Sequence, residues 1–404
     1  MHTPITKCRI CGSTQLKSLL SLGDMAYTGH FPLLSYQETN LRGPLELVRC
    51  MGECGLVQLG HNFPLNEMYG EGYGYRSGLN KGMVNHLFDI HQKILNRTSL
   101  ECTDVVLDIG SNDGTLLNMY SSDNATLIGF DPSSKQFAKH YRRDIYRIDS
   151  FFSAAALKEL FGDRKAKIVT SIAMFYDLPD PLAFMRDIAS ILADDGIWYT
   201  EQSYLPSMLK NNSYDTICHE HLEYYCLSQI QWMCEHSGLK IIDVSFNDIN
   251  GGSFGVTMAK KESRFEGIPT WCFPEWGQSF NKFSYSVHTH NFRLSETLRD
   301  IKRRNKLVLG YGASTKGNVI LQYCGITPEL LPCIADVNED KWGHYTPGTN
   351  IPIVSEAKAK ELKPDYFLVL PWHFRDNIIK RESEWIARGG KLIFPLPEIE
   401  IYPK

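Results

Sequence analysis

Apolar positions recur along this chain in two rhythms. Short unbroken apolar runs, each ending at a glycine or an acidic residue, predict strands buried on both faces. They fall at Val105 to Ile109, Thr126 to Phe130, Ala166 to Ser171 and Gly196 to Glu201. Elsewhere apolar residues return at helical spacing, as Met83, Leu87, Ile90 and Ile94 do between Gly82 and Arg97. Alternation of this kind predicts a parallel sheet with helical crossovers. The pattern starts again after a helical stretch from Phe292 to Arg304. Lys306 to Gly312 reads as a second strand entering a glycine turn, with further strands at Leu331 to Ala335, Tyr366 to Leu370 and Lys391 to Phe394. Residues 1–75 differ, with shorter strands such as Leu45 to Val48 and Gly55 to Leu59 and little helical periodicity. The predicted fold class is α/β, two Rossmann-like lobes with a small N-terminal module. The expected division is 1–75, 76–245 and 246–404, and the segment 202–260 is expected to lie between the lobes.

The first glycine turn carries the most specific chemistry. Asp108-Ile109-Gly110-Ser111-Asn112-Asp113-Gly114 has the spacing GxxxG, not the GxGxxG of dinucleotide binders. Seventeen residues past Gly114, the next predicted strand ends in Asp131, a carboxylate placed to accept both hydroxyls of a ribose. This pairing points to a class I fold for S-adenosylmethionine, making the central lobe a methyltransferase. The candidate cofactor contacts are Asp108, Gly110, Asn112, Gly114, Asp131, Pro132, Asp149 and Phe151, the last two near the end of the next strand expected after Thr126 to Phe130, where they could meet an adenine. A plain ligand-free turn is the competing reading.

Four of the eleven cysteines form two knuckles, Cys8/Cys11 and Cys50/Cys54. Four thiolates so arranged suit tetrahedral zinc, and a closed Cys₄ site folds a small module instead of catalysing a reaction. An odd cysteine count with a metal pattern fits a reducing compartment. A net charge of -4 offers no grip on nucleic acid. No apolar run is long enough for a membrane span, and the start lacks a signal peptide's apolar core, so a cytoplasmic protein is expected.

Tyr214 to Tyr225 packs two histidines, acidic residues and three tyrosines into twelve residues, the side chains that proton chemistry uses. A histidine beside a carboxylate suits a general base, although a polar surface loop or a metal site on His219 and His221 would use the same residues. Tyr69, Tyr73 and Tyr75 sit in a glycine-spaced loop that could close over a cleft. In the C-terminal lobe Gly310 to Asn318 brings backbone amides and Lys316 together as an anion site requires, with a diphosphate one candidate and NAD a competitor because Asp336 ends the following strand. Trp372 and His373 fall at the same sheet edge.

In this order the motifs resemble those of the nucleotide-sugar C-methyltransferases: a four-cysteine module, Asp108-x-Gly110-x-x-x-Gly114, Glu220-His221, Gly251-Gly252-Ser253, and Gly310-Tyr311-Gly312-Ala313-x-x-Lys316-Gly317-Asn318. The resemblance implies S-adenosylmethionine and structural zinc as cofactors, and a nucleoside-diphosphate 4-keto sugar as substrate, methylated on the carbon next to the ketone through an enolate. It implies that His221, oriented by Glu220, is the base, with Tyr75 and Tyr224 as further catalytic groups. Tyr73, His219, Gly312, Lys316, Asn318 and Trp372 are the expected substrate contacts. Two positions depart from the family pattern: Cys218 stands where relatives carry a tyrosine, and Asn250 where many carry histidine. An O- or N-methyltransferase of the same fold, or a C-terminal lobe that is NAD-dependent or a scaffold, are the alternatives. The chain is expected to act as a monomer or weak dimer.

Overall fold

The computed structural model describes residues 2–33, 41–64, 68, 69, 75–268 and 280–404. Tyr73, an expected substrate contact, lies outside them. Among the described residues no helix is long and apolar enough to cross a membrane.

The central sheet has seven strands. Val105–Ile109 lies between Thr126–Phe130 on one side and Ala166–Ile172 on the other, all parallel, and Ile145–Ile148 and Leu192–Ser203 extend the sheet outward in parallel. Five of the expected elements thus appear in place, including the helix Lys81–Leu95. Because the chain leaves Val105–Ile109 toward one side and returns on the other, a crevice opens at that strand's carboxyl end, where open α/β sheets hold ligands. The sheet continues past the boundary expected at 245. Ser253–Lys260 pairs antiparallel with Leu192–Ser203, and Leu239–Asn247 forms the edge beyond it. Much of the segment expected between the lobes is therefore sheet. Its residues Leu239, Ile241, Phe254, Val256 and Met258 are buried, which gives these strands their place.

The C-terminal sheet has six strands in the order Ile353–Ser355, Ile334–Asp336, Val308–Tyr311, Tyr366–Val369, Lys391–Phe394 and Glu400–Tyr402, parallel except for the last. It repeats the central design on a smaller scale. A helix, Phe280–Arg303, leads into it.

The N-terminal sheet is antiparallel: Leu16–Ala26, Arg42–Cys50, Val57–Leu59, and a fourth strand, Glu223–Tyr224, lent from the far side of the central lobe. Its apolar face merges into one core with the C-terminal lobe, where Leu45, Leu47 and Val57 join Val287, Leu294 and Phe367. The Cys8, Cys11, Cys50 and Cys54 sulfurs all lie within 4.8 Å of one another. That spacing suits one tetrahedral zinc with Zn–S bonds of about 2.3 Å. Backbone N–H groups of Gly52 and Leu56 point at the Cys50 and Cys54 sulfurs (3.3 and 3.5 Å), as expected around thiolate ligands.

Between the two first cysteines sits Arg9, whose side chain is 3% exposed. Its guanidinium donates to the carbonyls of Leu59 and His61 (both 2.8 Å) and to the Asn62 side chain (2.7 Å), and reaches the Leu222 carbonyl at 3.4 Å. Glu223, fully buried, has Arg9 as its counter-charge at 3.4 Å, and no hydrogen bond to either of its carboxylate oxygens is found among the described residues. Burial pushes the Glu223 carboxyl up, opposed first by the Arg9 charge and then by the Leu178 backbone N–H. Removing one partner of a buried pair leaves the other charge uncompensated, so Arg9→Ala is expected to lower the unfolding free energy by about 3–5 kcal/mol. Glu223→Gln should cost clearly less, since Arg9 keeps its carbonyl partners. Denaturant unfolding of both variants measures the asymmetry.

Candidate active site

The crevice at the end of Val105–Ile109 is a cleft of about 1330 Å³, its open mouth included. Asp108, Gly110, Asn112, Asp131, Pro132, Phe151 and Tyr75 line it. Gly110 has φ +77°, and a Cβ there would meet Met174 at 3.0 Å, so the backbone comes closer than any side chain allows. Asp131 is fixed by the turn it faces: Asn112 N–H donates to Oδ2 (2.8 Å), and the Ser133 N–H and hydroxyl donate to Oδ1 (both 2.6 Å). Oδ1 thus has both lone pairs engaged by Ser133, and Oδ2 keeps one for a ligand hydroxyl. Asn112, at φ +49°, also holds the entry loop, accepting from Ser77 N–H (2.9 Å) and donating to the Tyr75 carbonyl (3.2 Å). Thr170 donates to Asp108 (2.6 Å), yet burial pushes the Asp108 carboxyl up to about 7. The glycine backbone, the fixed Asp131 and the half-exposed Phe151 ring fit S-adenosylmethionine.

Two expected cofactor contacts stand apart. Asp149 turns to Arg147 (2.7 Å) and the Ser134 hydroxyl (2.6 Å), because the neighbouring guanidinium outcompetes the cleft. Gly114, at φ +75°, packs against the Tyr141 ring and shapes the turn from behind.

His221 lies just behind the cleft wall. Its ring sits 4.3 Å from that of Tyr176, which lines the cleft. Nδ1 lies 2.9 Å from the Thr216 carbonyl, which can only accept, so Nδ1 carries the hydrogen and Nε2 keeps its lone pair. Burial, then the nearby Lys316 charge, lowers the His221 pKa to about 3, so the ring is neutral. Glu220 does not orient it. The Glu220 carboxylate is buried and turns to the Thr28 hydroxyl (3.3 Å), linking this segment to the N-terminal module. Tyr224 is buried too, its hydroxyl on the same Thr216 carbonyl at 3.4 Å, outside the cleft.

Several expected substrate contacts are instead packing groups. His219 is fully buried between Tyr27 and Phe63, with Nε2 on the Gly43 carbonyl (3.1 Å), because the chain turns at 218–221, where His221 N–H donates to the Cys218 carbonyl (3.2 Å), and the two rings no longer share a face as they would in an extended segment. Asn318 is fully buried and donates to the Thr28 carbonyl (2.7 Å). Trp372, 7% exposed, donates its indole N–H to Asp215 (2.8 Å). Gly312, at φ +79°, packs against Pro371. Lys316 does reach the junction: its ammonium donates to the Asn250 carbonyl (2.8 Å), and Asn250 lines the cleft. Asn250 has φ +56°, a conformation asparagine tolerates better than most residues.

Sequence reasoning missed several polar residues of the cleft, among them Glu201, Gln202 and Asp177. Glu201, at the carboxyl end of Leu192–Ser203, accepts from His86 Nε2 (2.6 Å), Asn247 (2.8 Å) and Tyr199 (3.2 Å). Its place at a strand's carboxyl end was the available signal. The C-terminal turn carries the same carboxylate device as the central one, with Ala313 N–H donating to Asp336 (2.7 Å). There, however, the Lys341 ammonium bonds the Ala313 carbonyl (2.8 Å) and lies against the Phe31 ring.

Three family models match the chain in series: "Putative zinc binding domain" over 8–69, "Methyltransferase domain" over 83–244, and "C-methyltransferase C-terminal domain" over 273–397. The chain is 30% identical over 409 residues to the C-methyltransferase NovU of Streptomyces niveus, covering 98% of this chain and 96% of that protein. A shorter match, 28% identical over 109 residues, is to the tRNA U34 carboxymethyltransferase of Campylobacter lari, covering 25% of this chain and 36% of that protein. Solved structures that resemble it include the YcgJ protein from Bacillus (16% identity, TM-score 0.36, 44% of this chain and 99% of that one). Another is the plantazolicin methyltransferase BpumL in complex with SAH (13%, TM-score 0.34, 44% and 82%). Neither bears on substrate or mechanism. With the NovU likeness running almost end to end, and three domain models matching in order, the chain belongs to the S-adenosylmethionine-dependent C-methyltransferase family.

Proposed function

We propose that this enzyme methylates the carbon next to the 4-keto group of a nucleoside-diphosphate deoxysugar, with His221 removing the proton from that carbon. One observation carries the reading: the His221 ring, its Nδ1–H committed to the Thr216 carbonyl so that Nε2 keeps the lone pair, lies 4.3 Å from the Tyr176 ring in the wall of the cofactor cleft. C-methylation needs a carbon nucleophile, and a C–H next to a ketone supplies one because the negative charge passes to oxygen. Bound S-adenosylmethionine contributes an electrophilic methyl group. This chain's residues do the rest. Asp131 and the Gly110 backbone hold the cofactor's ribose and amino-acid ends, and Tyr75 offers a hydroxyl at the cleft mouth. Lys316 takes the diphosphate, so that the lobe of residues 280–404 serves substrate binding while the central lobe, whose sheet runs on to Lys260, serves the cofactor and 1–75 brace the junction.

Lys316 also links substrate to base. Its charge is, after burial, the largest factor lowering the His221 pKa. A diphosphate paired with that ammonium cancels the effect and raises the basicity of His221 when a substrate is in place.

His221→Asn should abolish turnover while cofactor affinity, measured by calorimetry, stays unchanged. In D₂O without methyl donor, the wild type should exchange the α-hydrogen of a nucleoside-diphosphate 4-keto sugar and the variant should not. Exchange absent in the wild type would exclude the enolate route in favour of O- or N-methylation. Asp131→Ala should weaken cofactor binding about 10- to 100-fold, the worth of a hydrogen bond to a charged group.

A further inference from the structure

Asp177 has no part in the scheme above, yet it is one of the residues that line the cleft. It ends the short turn Phe175–Asp177 that follows Ala166–Ile172, at the edge of the sheet where ligands bind. The Tyr69 hydroxyl, also lining the cleft, donates to Asp177 Oδ2 at 2.7 Å. Oδ1 is shielded from bulk water and has no hydrogen-bond partner among the described residues. Tyr176, one residue earlier, is the ring that touches His221. One turn therefore touches the base and also brings a residue with a fixed carboxyl to the wall of the same cleft.

The groups acting on this carboxyl are Tyr69, Glu220 and Glu223, and its charge is felt in turn by Cys218, Tyr224 and Tyr225. None is a cation. Arg9, whose charge reaches Tyr224 and Tyr225, is committed to Glu223 and the surrounding carbonyls. Burial, reinforced by the two glutamates and opposed by Tyr69, holds Asp177 well above the usual carboxylate range. With Oδ2 accepting from Tyr69, the hydrogen of the neutral acid falls on Oδ1, a donor without an acceptor.

We propose that Asp177 is a catalytic residue whose Oδ1–H hydrogen-bonds the ketone oxygen of the substrate, with Tyr69 fixing the carboxyl. This rests on the enolate reading above. As His221 takes the α-hydrogen, the C–H electron pair moves into the carbon–carbon bond and the carbonyl pair onto oxygen. The Asp177 hydrogen stays on its carboxyl and is shared more strongly as that charge grows. A fixed neutral donor in a water-poor site favours the charged transition state over the ketone. Such a bond tightens only when substrate is in place.

The test compares Asp177→Val, which removes the donor, with Asp177→Asn, which keeps a neutral donor of the same shape. Both are assayed for α-hydrogen exchange in D₂O and for methyl transfer, with cofactor affinity as the check on folding. The valine variant should lose about 10²–10³ in both rates, the cost of deleting one donor of this kind, and the asparagine variant about tenfold or less. Full activity of Asp177→Val, or equal loss in both variants, overturns the proposal, equal loss meaning that an anion is needed there. Should the valine variant not bind cofactor, pH profiles decide. The wild type should lose rate at high pH as the carboxyl ionises, and Asp177→Asn should lack that limb; superimposable profiles overturn the proposal. A wild type that exchanges normally beside a fully active Asp177→Val removes this inference alone, whereas a wild type that never exchanges removes the enolate reading with it.

Discussion

The Arg9 guanidinium is the interaction on which the site depends. It sits inside the first cysteine knuckle and reaches across to Leu222 and Glu223, immediately after His221 in sequence. A buried charge with this many carbonyl partners is costly to move, so the metal-bound knuckle and the segment carrying the base behave as one body. Backbone pairing of Glu223 and Tyr224 with Gln58 and Val57 reinforces the connection. A small metal module at the chain's start thus has a function at a distance. It supplies the outer strand and the counter-charge that keep the residues flanking the half-buried His221 buried, and the enclosure keeps the His221 ring neutral.

The other side of the site is fastened by the helix Thr315–Tyr323. Gln322 both accepts from Ala26 N–H (2.8 Å) and donates to its carbonyl (3.1 Å), and Asn318 donates to Thr28. Thr28 in turn donates to Glu220. Glu220 therefore joins three parts of the chain at a point one residue from the base. Its loss would act through position, a different role from orienting the imidazole directly. Since the base is held by a main-chain carbonyl, its tautomer follows from the fold of the loop and not from any single acidic side chain.

Much of this was legible in sequence. Runs such as Val105–Ile109 and Lys391–Phe394 are apolar on both faces, and only a covered parallel strand uses such a run. The cysteine knuckles and the Gly110/Asp131 pair announce themselves because their chemistry tolerates few alternatives. The antiparallel edge Leu239–Asn247 was not legible: its burial is mixed and half its face meets solvent, so neither rhythm dominates. Nor were the fates of His219 and His221. Two histidines two positions apart look equivalent in sequence, and only the cover given by Tyr27 and Phe63 from the N-terminal sheet makes one of them core. Asp149 stands apart from the cleft lining for a similar reason, since Arg147 two positions earlier pairs with its carboxylate.

The two lobes show how one turn design can lead to different uses. In each, a carboxylate at the end of the second strand accepts from an amide in the first glycine turn and from the amide two residues further on, Asp131 from Asn112 and Ser133, Asp336 from Ala313 and Asn338. The arrangement first of all satisfies backbone donors that burial would leave without partners, and a ligand can use only the lone pairs that remain. What separates the lobes is the cover. Above Gly110 lies a cleft walled by Met174 and Phe151, whereas the Ala313 carbonyl already holds the Lys341 ammonium, itself against Phe31. A carboxylate paired with a glycine turn is therefore a folding device before it is a cofactor signature, and the neighbouring surface determines which of the two turns holds a nucleoside.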